Sequence, residues 1–183
     1  MSQSTIFLVI NSTIKFKAVS SMTKTKRLLT LFLRFLAIGA TIAAVIVMVT
    51  SHDSSEVFNL TFTAKYSNQQ AFKYFVIAEA IACAYSLILL FTSPQNSLWR
   101  LVMILDVVIA MLLSSSVSAA LAIAHVGKKG NTHAGWLPIC GQVPKFCDHV
   151  TGALIAGFAA AIIYFLLIFS SLYSAQSSLF PLN

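Results

Sequence analysis

Apolar residues in this chain gather into four long runs, Leu28–Thr50, Ala71–Thr92, Leu101–Ala124 and Val150–Tyr173, and each is divided from the next by a polar segment. A helix needs about 20 apolar residues to cross a hydrocarbon core of about 30 Å. The pattern therefore predicts an all-α membrane protein, a left-handed bundle of four transmembrane helices. The second and third runs are joined by Ser93–Arg100, a short stretch with Pro94 and Asn96 that suits a turn between antiparallel neighbours. Trp99 and Arg100 close it as an interfacial anchor.

Charges interrupt the runs at Arg34 in the first, Glu79 in the second and Asp106 in the third, while Lys73 stands at the outer rim of the second. Insertion of such a group costs about 2.5 to 3.5 kcal/mol at mid-bilayer, less nearer the edge, so a partner at the same depth offsets a real cost. Arg34 and Asp106 stand at comparable distances from the starts of two spans that rise from the same face, which at about 1.5 Å per residue sets them level. Two readings compete for the pair. Arg34 either snorkels to nearby headgroups or forms an intramembrane ion pair with Asp106, and such a pair serves folding or marks a transport path. Glu79 lies toward the other face, where it is protonated, faces the bundle interior or lines a polar crevice.

Without a hydrophobic force between helices in lipid, association depends on close backbone approach and on polar contacts. The fourth span offers small residues at Gly152, Ala156 and Ala160, flanked by Ala153, Gly157 and Ala161. Gly39 with Ala43, and Ala40 with Ala44, give the first span a lesser version. These faces serve packing inside the bundle or self-association between protomers. Ser114, Ser115, Ser116 and Ser118 add hydroxyls that bond back to their own helix or across to a neighbour.

Composition agrees with the pattern: 58% of the residues are hydrophobic and 9% charged, against about 25% charged in an average soluble domain. At 183 residues there is room for one domain and no separate soluble enzyme. The net charge of +7 owes much to Lys15, Lys17, Lys24, Lys26 and Arg27, beside the first span. Their position suits anionic lipid headgroups and not nucleic acid. The same bias places residues 1–27 and the tail 174–183 in the cytoplasm and the loops Ser51–Gln70 and His125–His149 outside. Ile6–Ile10 is too short for a cleaved signal peptide, and the first 21 residues, ahead of Met22, read as a dispensable extension. Asn59 opens a glycosylation sequon in the first outer loop.

Cys83 sits within a span, while Cys140 and Cys147 share a loop and are the pair able to form a disulfide in an oxidising compartment. Closing so short a loop adds about 2 to 2.5 kcal/mol on the chain-entropy estimate. The spacing of His133, Asp148 and His149 around these cysteines matches no zinc motif, and no hydrolase, metalloprotease or phosphate-loop motif occurs. No catalytic residue, cofactor site or metal site is expected.

Four separated features agree in order: Arg34, Asp106, the run FKYFVIAEAIACAYS in the second span, and WLPICGQVPKFC before the fourth. Together they resemble the Casparian strip membrane domain protein-like family of plants, in particular its group 1, over about Met22–Tyr173. The resemblance implies a multi-pass plasma-membrane protein related to the MARVEL domain proteins, with both termini cytoplasmic. It also implies a non-enzymatic scaffold that forms homo-oligomers and hetero-oligomers with related chains. In the founding members such assemblies build immobile platforms that organise local cell-wall lignification. The family's intramembrane Arg and Asp carry over to Arg34 and Asp106, and its loop cysteines to Cys140 and Cys147. The first outer loop lacks the stretch associated with true strip members, so strip formation itself is not implied. The alternative function is a small transporter or channel subunit using the intramembrane charges.

Overall fold

A computed structural model describes residues 28–57, 60–92 and 98–179. Four helices in it are long and apolar enough to cross a membrane. They are α1, Leu28–Val49; α2, Gln70–Phe91; α3, Trp99–Lys129; and α4, Pro144–Leu179. The basic cluster before Leu28 and the sequon residue Asn59 lie outside the described residues.

The last two helices outrun the apolar pattern. At 1.5 Å per residue, the 31 residues of α3 and the 36 of α4 extend about 46 and 54 Å, beyond a hydrocarbon core of about 30 Å. Hydropathy marks where a helix meets water, whereas backbone hydrogen bonding continues until a residue stops it. Lys128 and Lys129 therefore form the last turn of α3, and Cys147 lies in α4, not in a loop. Pro144 starts α4 with a preset φ and no amide hydrogen to leave unsatisfied.

Gly130 ends α3 at φ 71°. A Cβ there would lie 2.6 Å from the Trp136 carbonyl oxygen, so only glycine fits the turn. Beyond it Asn131 and Trp136 exchange backbone hydrogen bonds of 2.8 and 2.9 Å. The amides of Ile139 and Cys140 then both donate to the Gly127 carbonyl, strapping the loop back onto α3. A disulfide joins Cys140 to Cys147, their Cα atoms 5.7 Å apart, and ties the same loop to α4.

The first loop is not irregular. Strands β1, His52–Val57, and β2, Leu60–Lys65, form an antiparallel hairpin in which His52 faces Lys65 and Val57 faces Leu60. An all-α description thus holds for the spans but not for the connection between α1 and α2. The strand signal was present in LTFTAK, where Leu60, Phe62 and Ala64 alternate with Thr61, Thr63 and Lys65.

Two apolar clusters fill the bundle. At the hairpin end Met48, Phe72, Phe75, Val117, Phe146 and Val150 are buried together, and the Phe72 and Phe146 rings meet edge to face at 6.1 Å. At the opposite end Leu33, Ala37, Leu113, Ala161, Tyr164 and Leu167 pack together. Large apolar residues such as Phe35, Ile104, Met111 and Phe169 point outward, as a lipid-facing surface requires.

Candidate functional site

The chemistry that a membrane helix can afford least is collected at one level of the bundle. Arg34 on α1 is 5% exposed and Asp106 on α3 is 1% exposed. The Arg34 Nη2 donates to both carboxylate oxygens of Asp106, at 2.6 and 2.7 Å. Pairing at this depth replaces two unpaired intramembrane charges with one compensated dipole.

Residues from α2 and α4 complete the cluster. The Tyr85 hydroxyl hydrogen-bonds Asp106 Oδ1 at 2.9 Å and lies 3.2 Å from the Val102 carbonyl. Tyr164 Oη is 2.7 Å from the Ala82 carbonyl and 2.7 Å from Ser86 Oγ. The Arg34 guanidinium carbon lies 5.3 Å from the centroid of the Tyr85 ring and 5.9 Å from that of Tyr164. The Arg34 Nη1 is buried without a hydrogen-bond partner among the described residues. Two aromatic faces beside it supply part of the missing compensation by cation–π attraction. One polar layer thereby joins all four helices. Depth matching in the sequence found the charges and missed Tyr85, Ser86 and Tyr164, although counting back from Thr92 and Tyr173, the ends of the second and fourth apolar runs, brings the tyrosines near this level.

The serines of α3 divide their roles. Ser114, Ser116 and Ser118 bond back to carbonyls of Ala110, Leu113 and Ser114. Ser115 instead reaches across to the Tyr74 hydroxyl at 2.6 Å and links α3 to α2.

Small residues of α4 also divide. Gly157 and Ala160 are buried, Ala156 is half-buried and Gly152 is exposed. The face turned into the bundle runs through Ala153, Gly157, Ala160 and Ala161 to Tyr164, so it takes Ala160 but not Gly152 from the Gly152, Ala156 and Ala160 row. Gly152 still lies beside α1, where an added Cβ would meet Val47 at 3.8 Å, an ordinary contact. At Gly157 the approach is closer. A Cβ there would sit 2.6 Å from the Phe75 ring and 2.7 Å from Glu79 Oε1.

Glu79 faces the interior at this crossing, fully buried, with no hydrogen-bond partner for either oxygen among the described residues. An orphaned buried polar group costs about 1 to 3 kcal/mol, and an apolar group of the same shape removes that cost. Glu79→Met is therefore expected to keep or raise the thermal unfolding temperature of the purified protein in detergent. A clear drop would mean that the carboxyl has a structural partner.

Among the described residues, no group of three or more His, Cys, Asp or Glu side chains could hold a metal ion. Comparison with known proteins bears on the same features. The family model for the Casparian strip membrane protein domain matches residues 23–163. That interval contains Arg34, Glu79, Asp106, both cysteines of the disulfide and Gly157. CASP-like protein 1C3 of Populus trichocarpa is 65% identical over 159 residues, which is 87% of this chain and 98% of that protein. CASP-like protein 1C1 of Vitis vinifera is 61% identical, covering 84% of this chain and 96% of its own. CASP-like protein 1C1 of Arabidopsis thaliana is 56% identical, covering 82% and 92%. No solved structure matches the chain. Two thirds identity across nearly the whole length leaves one assignment: the chain belongs to the Casparian strip membrane protein domain family, in its CASP-like group 1, and is a structural, non-enzymatic, multi-pass protein of the plasma membrane.

Proposed function

We propose that this protein is a lateral scaffold, assembling with itself and with related chains into a stationary membrane platform that organises local modification of the cell wall. Both termini are cytoplasmic in this reading, and the hairpin and the disulfide-closed loop face the wall. Arg34 and Asp106 act as a latch that fixes the helices of one protomer, without a part in chemistry or transport.

The observation that carries the proposal is the outward face of α4. Ile155, Phe158, Ile162, Phe165, Phe169 and Leu172 are all exposed, by 45 to 76%, and are spaced alternately by three and four residues. That spacing lets two helices interlock their side chains along a seam. Ala153, Gly157 and Tyr164 already engage the bundle on the inward side, so the seam is free for a second copy. A transport path would need its charges open to a passage, whereas Arg34 and Asp106 are committed to each other.

Two differently tagged copies expressed in plant cells are expected to co-purify, and a fluorescent copy to show little recovery after photobleaching. Phe158→Ala combined with Phe165→Ala should weaken co-purification while leaving the monomer folded. Free diffusion of the unaltered protein as a monomer would overturn the proposal.

A further inference from the structure

A second feature lies away from the polar layer, at the hairpin end. There α2, α3, α4 and the strapped loop enclose an open cavity of about 560 Å³. This is within the range of about 300 to 1,000 Å³ found for small-molecule sites. One wall is the last part of α3, with Ile123, Ala124 and Gly127. Another is the start of α4, with Phe146 and Val150, and Phe72 of α2 lies between them. The Cys140–Cys147 disulfide forms part of the loop side, and Trp136 stands on the rim, 58% exposed.

The lining is apolar except for a few groups, of which Lys128 on the α3 wall and Asp148 on the α4 wall carry charge. Neither is in an ion pair among the described residues. Lys128 stands in the last turn of α3, above Ile123, and Asp148 lies in the first turns of α4, above Val150. Both charges therefore stand toward the helix ends, where a span leaves the hydrocarbon; Ile123, Ala124 and Val150 line the cavity inward of them, and Leu137, Ile139 and Phe146 wall it on the loop side. A lipid seated here sets its headgroup at the two charges and its chain against the inward wall.

We propose that this cavity binds one zwitterionic phospholipid from the adjoining leaflet, its acyl chain between α3 and α4, its phosphate at Lys128 and its ammonium at Asp148. The paired opposite charges select this class. An anionic lipid would satisfy Lys128 and be repelled by Asp148, and a sterol would leave both without a partner. The exposed indole of Trp136 offers a face to a quaternary ammonium. The site rests on the bundle crossing a membrane and not on its oligomerisation. A freely diffusing monomer that still binds lipid here would overturn the scaffold alone.

The test uses the full chain in vesicles of equal parts phosphatidylcholine and phosphatidylglycerol, with a trace of either lipid bearing a photoactivatable acyl chain. Cross-linked peptides are mapped by mass spectrometry. With the phosphatidylcholine probe, labelling across 123–128 and 144–151 is expected to exceed that on the outward face of α1, around Phe32 and Phe35, by about tenfold, the equivalent of 1.4 kcal/mol of preference. Ala124→Trp, which fills the cavity, should bring it down to the level of that face. Lys128→Ala alters an exposed side chain that the fold does not need, and should lower phosphatidylcholine labelling several-fold. Asp148→Ala should let the phosphatidylglycerol probe label the site as strongly as phosphatidylcholine. Uniform labelling of all outward faces, equal labelling by both probes in the unaltered protein, or labelling unaffected by Lys128→Ala would each overturn the proposal.

Discussion

Asp106→Ala is expected to cost about 3 to 5 kcal/mol, because it strands the Arg34 guanidinium inside the bundle with neither its carboxylate nor access to water. The thermal unfolding temperature in detergent should fall by many degrees, and the amount reaching the cell surface should fall with it. Replacing both partners, as Arg34→Met with Asp106→Leu, removes the cost along with the bond and should recover most of the stability. A charge exchange, Arg34→Asp with Asp106→Arg, should recover less. It would set a guanidinium against the hydroxyl that Tyr85 now aims at a carboxylate, and take the cation from between the Tyr85 and Tyr164 rings. Full recovery by the exchange would mean that the tyrosines contribute nothing to the latch. An unchanged unfolding temperature for Asp106→Ala would remove the latch altogether.

Gly157→Val should have the second largest effect. Even the first added carbon meets the Phe75 ring at 2.6 Å, and Phe75 is fully buried, with no room to swing aside. Overpacking of this kind costs about 1 to 3 kcal/mol, and the branched side chain places it at the upper end. If the clash is the cause, Phe75→Leu should restore part of the loss when combined with Gly157→Val, although it is destabilising alone. That non-additivity is measurable in a double-mutant cycle by thermal unfolding. Strictly additive effects would show that α2 and α4 do not meet at this point.

These two sites differ in how far they could be read along the chain. Arg34 and Asp106 were legible because lipid makes an isolated charge so unfavourable that each one points to another at its own depth. Gly157 was legible only as one of several small residues. Six candidates on α4 fall in adjacent rows, and helical spacing alone does not say which row turns inward. The observed contacts choose the row of Ala153, Gly157 and Ala161 together with Ala160, and Gly152 is left exposed. Tyr85, Ser86 and Tyr164 passed unnoticed because uncharged polar residues are tolerated in membrane helices and so demand no partner. The hairpin was missed for a different reason: its alternating pattern is short and sits beside runs of far stronger hydropathy.

The sequence by itself determined four spans, the level of the ion pair and the family, since all three follow from one-dimensional facts: the length of apolar runs, the distance of a charge from its span's start, and the order of motifs. It also singled out Cys140 and Cys147, because they are the two cysteines between the third and fourth apolar runs. Only the tertiary structure decided which helix faces meet, that tyrosines from α2 and α4 close around Arg34, and that Glu79 is sealed against Gly157 and Phe75. Such contacts depend on how each helix is rotated about its axis. In a bilayer, where outward and inward faces are both apolar, hydropathy does not report that rotation, and side-chain fit does.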